Sequence, residues 1–241
     1  TSAGALTLTG ATGIDFGAGV AFTAGGDLTM STTSGDISGT GAFTLTSTGN
    51  ISLTENLTTA GATIITADSD GSGVGDFSID ASTTLSTGNN SLTLTANDVT
   101  VSGSISSGTG STTIAVSDGG TIGLGGTSGN MTITGTELGN ITAGTLNIGN
   151  SSTGNITVDG ISAANSNNAT TVNLTTASAS SVSFSNNDST FNALTANGGS
   201  STSFGSGLTV ATDTGKLALD STSITSAGAL TLTGATGIDF G

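Results

Sequence analysis

Residues 25–53 read GGDLTMSTTSGDISGTGAFTLTSTGNISL, and their spacing decides the fold. Three times a Gly with Asp or Asn opens onto an apolar residue and then a Ser or Thr: Gly26-Asp27-Leu28-Thr29, Gly35-Asp36-Ile37-Ser38 and Gly49-Asn50-Ile51-Ser52. Apolar residues then hold alternate positions, as in Leu28/Met30, Phe43/Leu45 and Ile51/Leu53. A period of two marks a strand with one buried face. Gly, Asn and Asp at the ends of such bursts supply turn chemistry.

The same pattern extends in both directions. Four more copies of the motif stand at Gly75-Asp76-Phe77-Ser78, Gly129-Asn130-Met131-Thr132, Gly139-Asn140-Ile141-Thr142 and Gly154-Asn155-Ile156-Thr157. Further alternating pairs include Leu6/Leu8, Leu92/Leu94, Val99/Val101, Ile114/Val116, Val172/Leu174, Val182/Phe184, Leu208/Val210 and Leu217/Leu219. Helical spacing is nowhere sustained. From Gly26 to Gly49 is 23 residues, to Gly75 another 26, to Gly129 another 54 and to Gly154 another 25. These intervals describe a coil of roughly 23–27 residues, with one coil lacking the motif, which is the period of a solenoid. Stacked coils pair strand on strand in parallel and turn their apolar faces into a shared column. The expected fold is all-β, a parallel β-helix, right-handed by the crossover preference of parallel strands.

Composition agrees. Thr, Ser, Val and Ile dominate, Pro and Cys are absent, only 7% of residues are charged, and Gly numbers 40 of 241 without a collagen period. Disordered chains are instead rich in Pro, Lys and Glu and poor in β-branched residues. A column shared between coils is built from small aliphatics, so eight Phe and no Trp or Tyr suffice.

Residues 225–241, TSAGALTLTGATGIDFG, repeat residues 1–17 letter for letter at an offset of 224. No packing or catalytic requirement fixes every Thr, Ser and Gly twice, so a long unit has been copied. Residues 1–224 therefore read as one tandem unit of about 10 coils, and 225–241 as the start of the next identical one. A capping segment with a polar outer face, which solenoid ends require, is not evident at either end, and the expected partner of the chain is itself, by end-to-end continuation and lateral bundling.

The bursts GALTLT (4–9), GGDLTM (25–30), GAFTLT (41–46), TGNISL (48–53) and TGNITV (153–158) resemble the irregular repeats of filamentous-haemagglutinin-like β-helical adhesins, secreted surface proteins of bacteria. The resemblance covers essentially the whole chain. It implies an extracellular or cell-surface location and a cell-surface or glycan receptor, and it assigns no functional residue.

Charge sharpens the reading. One 224-residue unit holds fifteen acids and one base, Lys216, hence a net −14. Spread over ~10 coils at ~4.8 Å each, that is about one negative charge per ~3.4 Å of axis. Such fibres repel at low salt and associate when counterions screen them. The absence of any basic patch excludes nucleic acid as a partner. No apolar run is long enough to span a bilayer as a helix.

Acids concentrate at Asp68-Ser69-Asp70-Gly71-Ser72-Gly73-Val74-Gly75-Asp76. Asp-x-Asp-Gly followed by a third carboxylate is a spacing that can wrap oxygen ligands around calcium. Asp68, Asp70 and Asp76 are the candidate ligands, although no Glu closes the loop as in an EF-hand. A solvated acidic turn is the plainer alternative. Ten Asn-x-Ser/Thr sequons would be glycan acceptors in an organism that N-glycosylates exported proteins; the plainer reading is the strand idiom itself, with Asn at the turn and Ser or Thr after the inward residue.

Parallel β-helices can carry polysaccharide-active enzymes built on Asp clusters. A chain with no His, Arg, Tyr or Trp offers neither a base near neutral pH nor a ring to stack on a sugar, so no catalytic residue is assigned. Ice binding would need flat Thr-x-Thr arrays, and the pairs Thr7/Thr9, Thr44/Thr46, Thr93/Thr95 and Thr132/Thr134 recur irregularly along the sequence. The expected function is structural: a repeat of an extracellular filament, sheath or long cell-surface adhesin, acting as a rigid β-solenoid rod.

Overall fold

A computed structural model describes all 241 residues. The chain is all-β apart from two one-turn helices, and its strands stack in parallel as a β-solenoid of about 11 turns. It divides into two compact units. The first holds Thr1–Thr113 with Asn140–Gly144, the second Ile114–Gly139 with Thr145–Gly241.

Each turn of the first unit has three sides. One is the ladder Leu6–Gly10, Leu28–Thr32, Ile51–Leu53, Phe77–Ile79 and Val99–Val101. The second runs through Ile14–Phe16, Ile37–Gly39, Leu57–Thr59, Thr84–Ser86 and Ser104–Ser106. The third is formed by Val20–Ala24, Phe43–Ser47, Thr63–Thr66 and Leu92–Ala96. Register places like on like: Leu6 faces Leu28, Leu28 faces Ile51, Ile51 faces Phe77 and Phe77 faces Val99. The alternation read from the sequence is the alternation of the burial, since Leu28, Met30, Ile51, Leu53, Phe77 and Ile79 are all buried. Full burial of one such side chain contributes about 1.5–3 kcal/mol.

The second unit is built likewise. One side carries Ala169–Thr175, Leu194–Asn197, Leu217–Leu219 and Ile238–Phe240, the next Ile156–Asp159, Ser181–Phe184, Ser201–Phe204 and Ile224–Ser226. The third carries Ser189–Phe191, Leu208–Thr212 and Leu230–Thr233. Phe184 and Phe204, facing partners on adjacent turns, stack with centroids 5.1 Å apart and planes at 11°, a favourable aromatic pairing.

Turn length varies more than the motif spacing implies. Register partners lie 20 residues apart between Ile37 and Leu57 but 28 between Leu57 and Leu85. Between Ile122 and Ile156 the interval reaches 34. There an extra strand, Met131–Ile133, folds beside Ile122–Gly125, and a helix, Gly135–Gly139, follows it. The Glu137 carboxylate accepts from the Thr134 amide at 2.9 Å and from its hydroxyl at 2.8 Å, and the Glu137 amide donates to the Thr134 hydroxyl at 3.3 Å. This is the capping-box arrangement that starts a helix.

The column also takes polar side chains where the alternation is weakest. Thr59 and Thr63 are buried and bond each other at 2.6 Å, Thr112 donates to Ser107 at 2.9 Å, and Thr202 pairs with Ser221 at 2.6 Å. No buried side-chain nitrogen or oxygen is left without a partner, so these hydroxyls are small fillers without a desolvation penalty.

Candidate functional site

The acidic loop was the strongest chemical signal in the sequence, and the fold uses its carboxylates one by one. Asp68 is buried, with its backbone in the left-handed region at φ 53°. Its Oδ1 accepts the Ser72 amide at 2.8 Å and the Ser72 hydroxyl at 2.9 Å, and its Oδ2 accepts the Gly73 amide at 3.1 Å. Both oxygens are thus turned into the loop they close. Asp70 lies exposed on that loop and accepts a longer bond from the Ser72 amide, 3.4 Å. Asp76 points elsewhere, to the next turn, where it accepts from the Asn97 side chain at 2.9 Å and the Asp98 amide at 3.1 Å. The three therefore bond to different partners, Asp68 and Asp70 within the loop and Asp76 on the next turn.

Asp76 belongs to a different feature, which explains the repeated motif. Asp27 Oδ1 accepts the amide of Asn50 at 2.9 Å; Asn50 Oδ1 accepts the amide of Asp76 at 2.9 Å; Asp76 Oδ1 accepts the amide of Asp98. At Asp27, Asn50 and Asp76 the second residue of the motif therefore caps the backbone N–H of its counterpart one turn later. The amide at that corner points along the axis with no strand partner, and a short Asn or Asp side chain satisfies it. At Gly49 the close approach of the turn before leaves no room for a side chain. A Cβ on Gly49 would lie 2.5 Å from Asp27 Oδ1 and 3.0 Å from the Asp27 nitrogen. Equivalent caps join Asn56 to the Thr84 amide at 2.8 Å and Asn155 to the Ser181 amide at 3.0 Å.

The sequon asparagines are structural in the same way. The side-chain amides of Asn56, Asn140, Asn168 and Asn173 donate to Asp36, the Val101 carbonyl, the Gly139 carbonyl and Asn147 respectively. A glycan on any of these nitrogens would remove a hydrogen-bond donor from the scaffold.

A second buried acid is not marked by any sequence motif. Asp159 is 6% exposed and receives three bonds from the next turn: Asn187 amide at 3.0 Å and Asn187 side chain at 2.8 Å on Oδ1, and Asn186 side chain at 3.1 Å on Oδ2. Burial works against its charge, yet the bonds from the Asn186 side chain and from the Asn187 side chain and backbone outweigh it, holding the carboxyl below the usual aspartate value. A local signal existed in Asp159-Gly160, a turn pair followed one turn later by Asn186-Asn187-Asp188.

Outward faces carry ordered hydroxyls. Thr23, Thr46, Thr66 and Thr95 stand in register on successive turns, one per turn. The neighbouring rank is interrupted, running Ala21, Thr44, Ile64 and Thr93, with Ile64 44% exposed. The irregular intervals of threonine in the sequence reflect unequal turn lengths, and in space one rank is regular. Lys216, the sole base, pairs with Asp239 at 2.7 Å across adjacent turns, and its hydrogen bond and charge hold that carboxyl below its usual value.

No pocket is found on the surface, and no helix is long and apolar enough to cross a membrane. Comparison with protein-family models, with curated proteins and with solved structures gives no match.

Proposed function

We propose that the chain is a structural repeat of an extracellular filament, sheath or long cell-surface adhesin, in which the β-solenoid serves as a rigid rod. The observation that carries this reading is the repeated use of side chains for turn-to-turn bonding. Apolar residues fill the column, Asn and Asp cap the next turn, and the one cation joins two turns. Stacked ladders of this kind resist extension because many backbone bonds must break together. The outer surface, rich in Thr, Ser and Asp, keeps such rods apart at low ionic strength. The role is mechanical and not catalytic. Electron microscopy of material isolated from its source should show unbranched fibres. Dispersed globular particles would refute the proposal.

A second reading, ordering of water at an ice surface, is favoured by one observation, the in-register rank Thr23, Thr46, Thr66 and Thr95. Thermal hysteresis in a solution of the chain would support it, and freezing at the colligative point would remove it.

A further inference from the structure

The duplicated 17 residues appear twice in one conformation but with opposite sides engaged. In both copies Ser2 or Ser226 closes the same small turn, accepting the amide of Gly4 at 3.3 Å or of Gly228 at 3.4 Å. In both, the Gly-Ala-Thr-Gly turn ends on a glycine in the positive-φ region, 116° at Gly13 and 129° at Gly237. The strands coincide too, Leu6–Gly10 with Leu230–Thr233 and Ile14–Phe16 with Ile238–Phe240.

Residues 1–17 are bonded to the turn that follows them. Leu6 faces Leu28, Ile14 faces Ile37, and the amides of Leu6 and Ile14 donate to the carbonyls of Asp27 and Asp36 at 2.8 and 3.1 Å. Residues 225–241 are bonded to the turn that precedes them. Leu208 faces Leu230, Leu217 faces Ile238, and the carbonyls of Ala229 and Gly237 accept from Gly207 and Leu217 at 2.7 and 3.1 Å. The two sets draw on different backbone groups of the same sequence. The carboxylate divides likewise: Asp239 Oδ2 takes the Lys216 ammonium, whereas Asp15 Oδ1 takes the Ser38 hydroxyl.

We infer that these residues form a two-sided junction coil, whose partner is a second copy of this chain: the turn at 202–219 of one copy stacks on residues 1–17 of the next. In the completed junction Leu208 lies on Leu6, Leu217 on Ile14 and Lys216 on Asp15, while Leu28, Ile37 and Ser38 cover the other side. The only cation of the repeat thereby sits at the seam, where one aspartate meets an ammonium on one side and a hydroxyl on the other. A one-residue slip would turn Leu6, Leu8, Ile14 and Phe16 outward, so the apolar ladder sets the register and Lys216 reports it. This inference rests on the tandem-rod reading and specifies its joint.

The test is a polypeptide of residues 1–224 followed by residues 1–241, compared with the 241-residue chain. In the shorter chain the amides of Leu230 and Ile238 should exchange rapidly with solvent. At the inner junction of the longer chain the same two amides should slow by roughly 100-fold, as buried ladder amides do. A zero-length carbodiimide should also join the first Lys216 to the inner copy of Asp239, and Asp239→Asn at that copy alone should abolish this link while sparing the terminal one. Exchange at the inner Leu230 and Ile238 as fast as in the shorter chain would overturn the junction, and so would a link from the first Lys216 to another carboxylate. Failure of the filament reading is separable, since it would show as a protected, correctly linked junction in a protein whose native material forms no fibres.

Discussion

Replacing Asp159 by Asn should destabilise the second unit at neutral pH and have progressively less effect in acid. Asn keeps the size of the side chain but turns one acceptor oxygen into a donor. Its carbonyl can still serve the two Asn187 donors at 3.0 and 2.8 Å, which leaves its NH2 against the Asn186 Nδ2 that donates to Oδ2 at 3.1 Å. One of three bonds to a charged, buried acceptor is lost and the other two lose charge assistance. A bond to a charged group is worth about 1.5–3 kcal/mol, so the expected loss is ~2 kcal/mol. For a unit of about 120 residues that lowers the melting temperature by roughly 8 °C.

The pH dependence follows from the sign of the shift. The folded-state value of Asp159 lies below the unfolded one. Its contribution is therefore full above the unfolded value of ~3.9 and is lost as the pH falls through the lower folded value. Parent and Asp159→Asn melts, followed by circular dichroism at pH 7 and at stepwise lower pH, should differ most at pH 7 and converge as the pH falls through the lowered folded-state value. A variant that melts within a degree of the parent at pH 7, or a gap that persists unchanged in acid, would refute the reasoning.

Three further outcomes are expected. Asn50→Ala removes the acceptor of the Asp76 amide at 2.9 Å and should cost about 1 kcal/mol, with faster hydrogen exchange at Asp76 and no change at Ser181, whose cap is Asn155. Phe184→Ala deletes a buried ring stacked on Phe204 and should cost about 3–5 kcal/mol in chemical denaturation; a loss below 1 kcal/mol would show that the column readily collapses around the gap. Calcium should leave the melting temperature unchanged, because Asp68 spends both oxygens on Ser72 and Gly73 and a cation would have to displace them; a calcium-dependent rise would show that Asp68, Asp70 and Asp76 regroup around the ion.

The strands were legible because burial and alternation are the same physical fact. Every alternating pair read from the sequence lies in a strand, from Leu6/Leu8 to Leu217/Leu219. The coil lacking the motif proves to carry it with Asn97 in place of Gly: Asn97-Asp98-Val99-Thr100 sits in register with Asp76-Phe77-Ser78. Strands such as Thr84–Ser86 and Ser201–Phe204 were harder to read, because one or two apolar residues flanked by inward hydroxyls give no periodic signal. The helix at Gly135–Gly139 escaped although Thr134 and Glu137 stand at capping-box spacing. The ladder Asp27, Asn50, Asp76 was visible as a motif but not as a mechanism, since its partners lie 22–26 residues away. The same distance hid the regular threonine rank, whose members are spaced unequally along the chain because turn lengths differ.

The central claim, that parallel turns continue from one repeat into the next as one column, is tested most directly by X-ray diffraction from aligned fibres of the multi-repeat protein. The expected result is a strong reflection along the fibre axis at ~4.8 Å, the spacing of stacked strands, with no break in its sharpness as repeats are added. A ~4.8 Å reflection lying across the axis, or none at all, would contradict it.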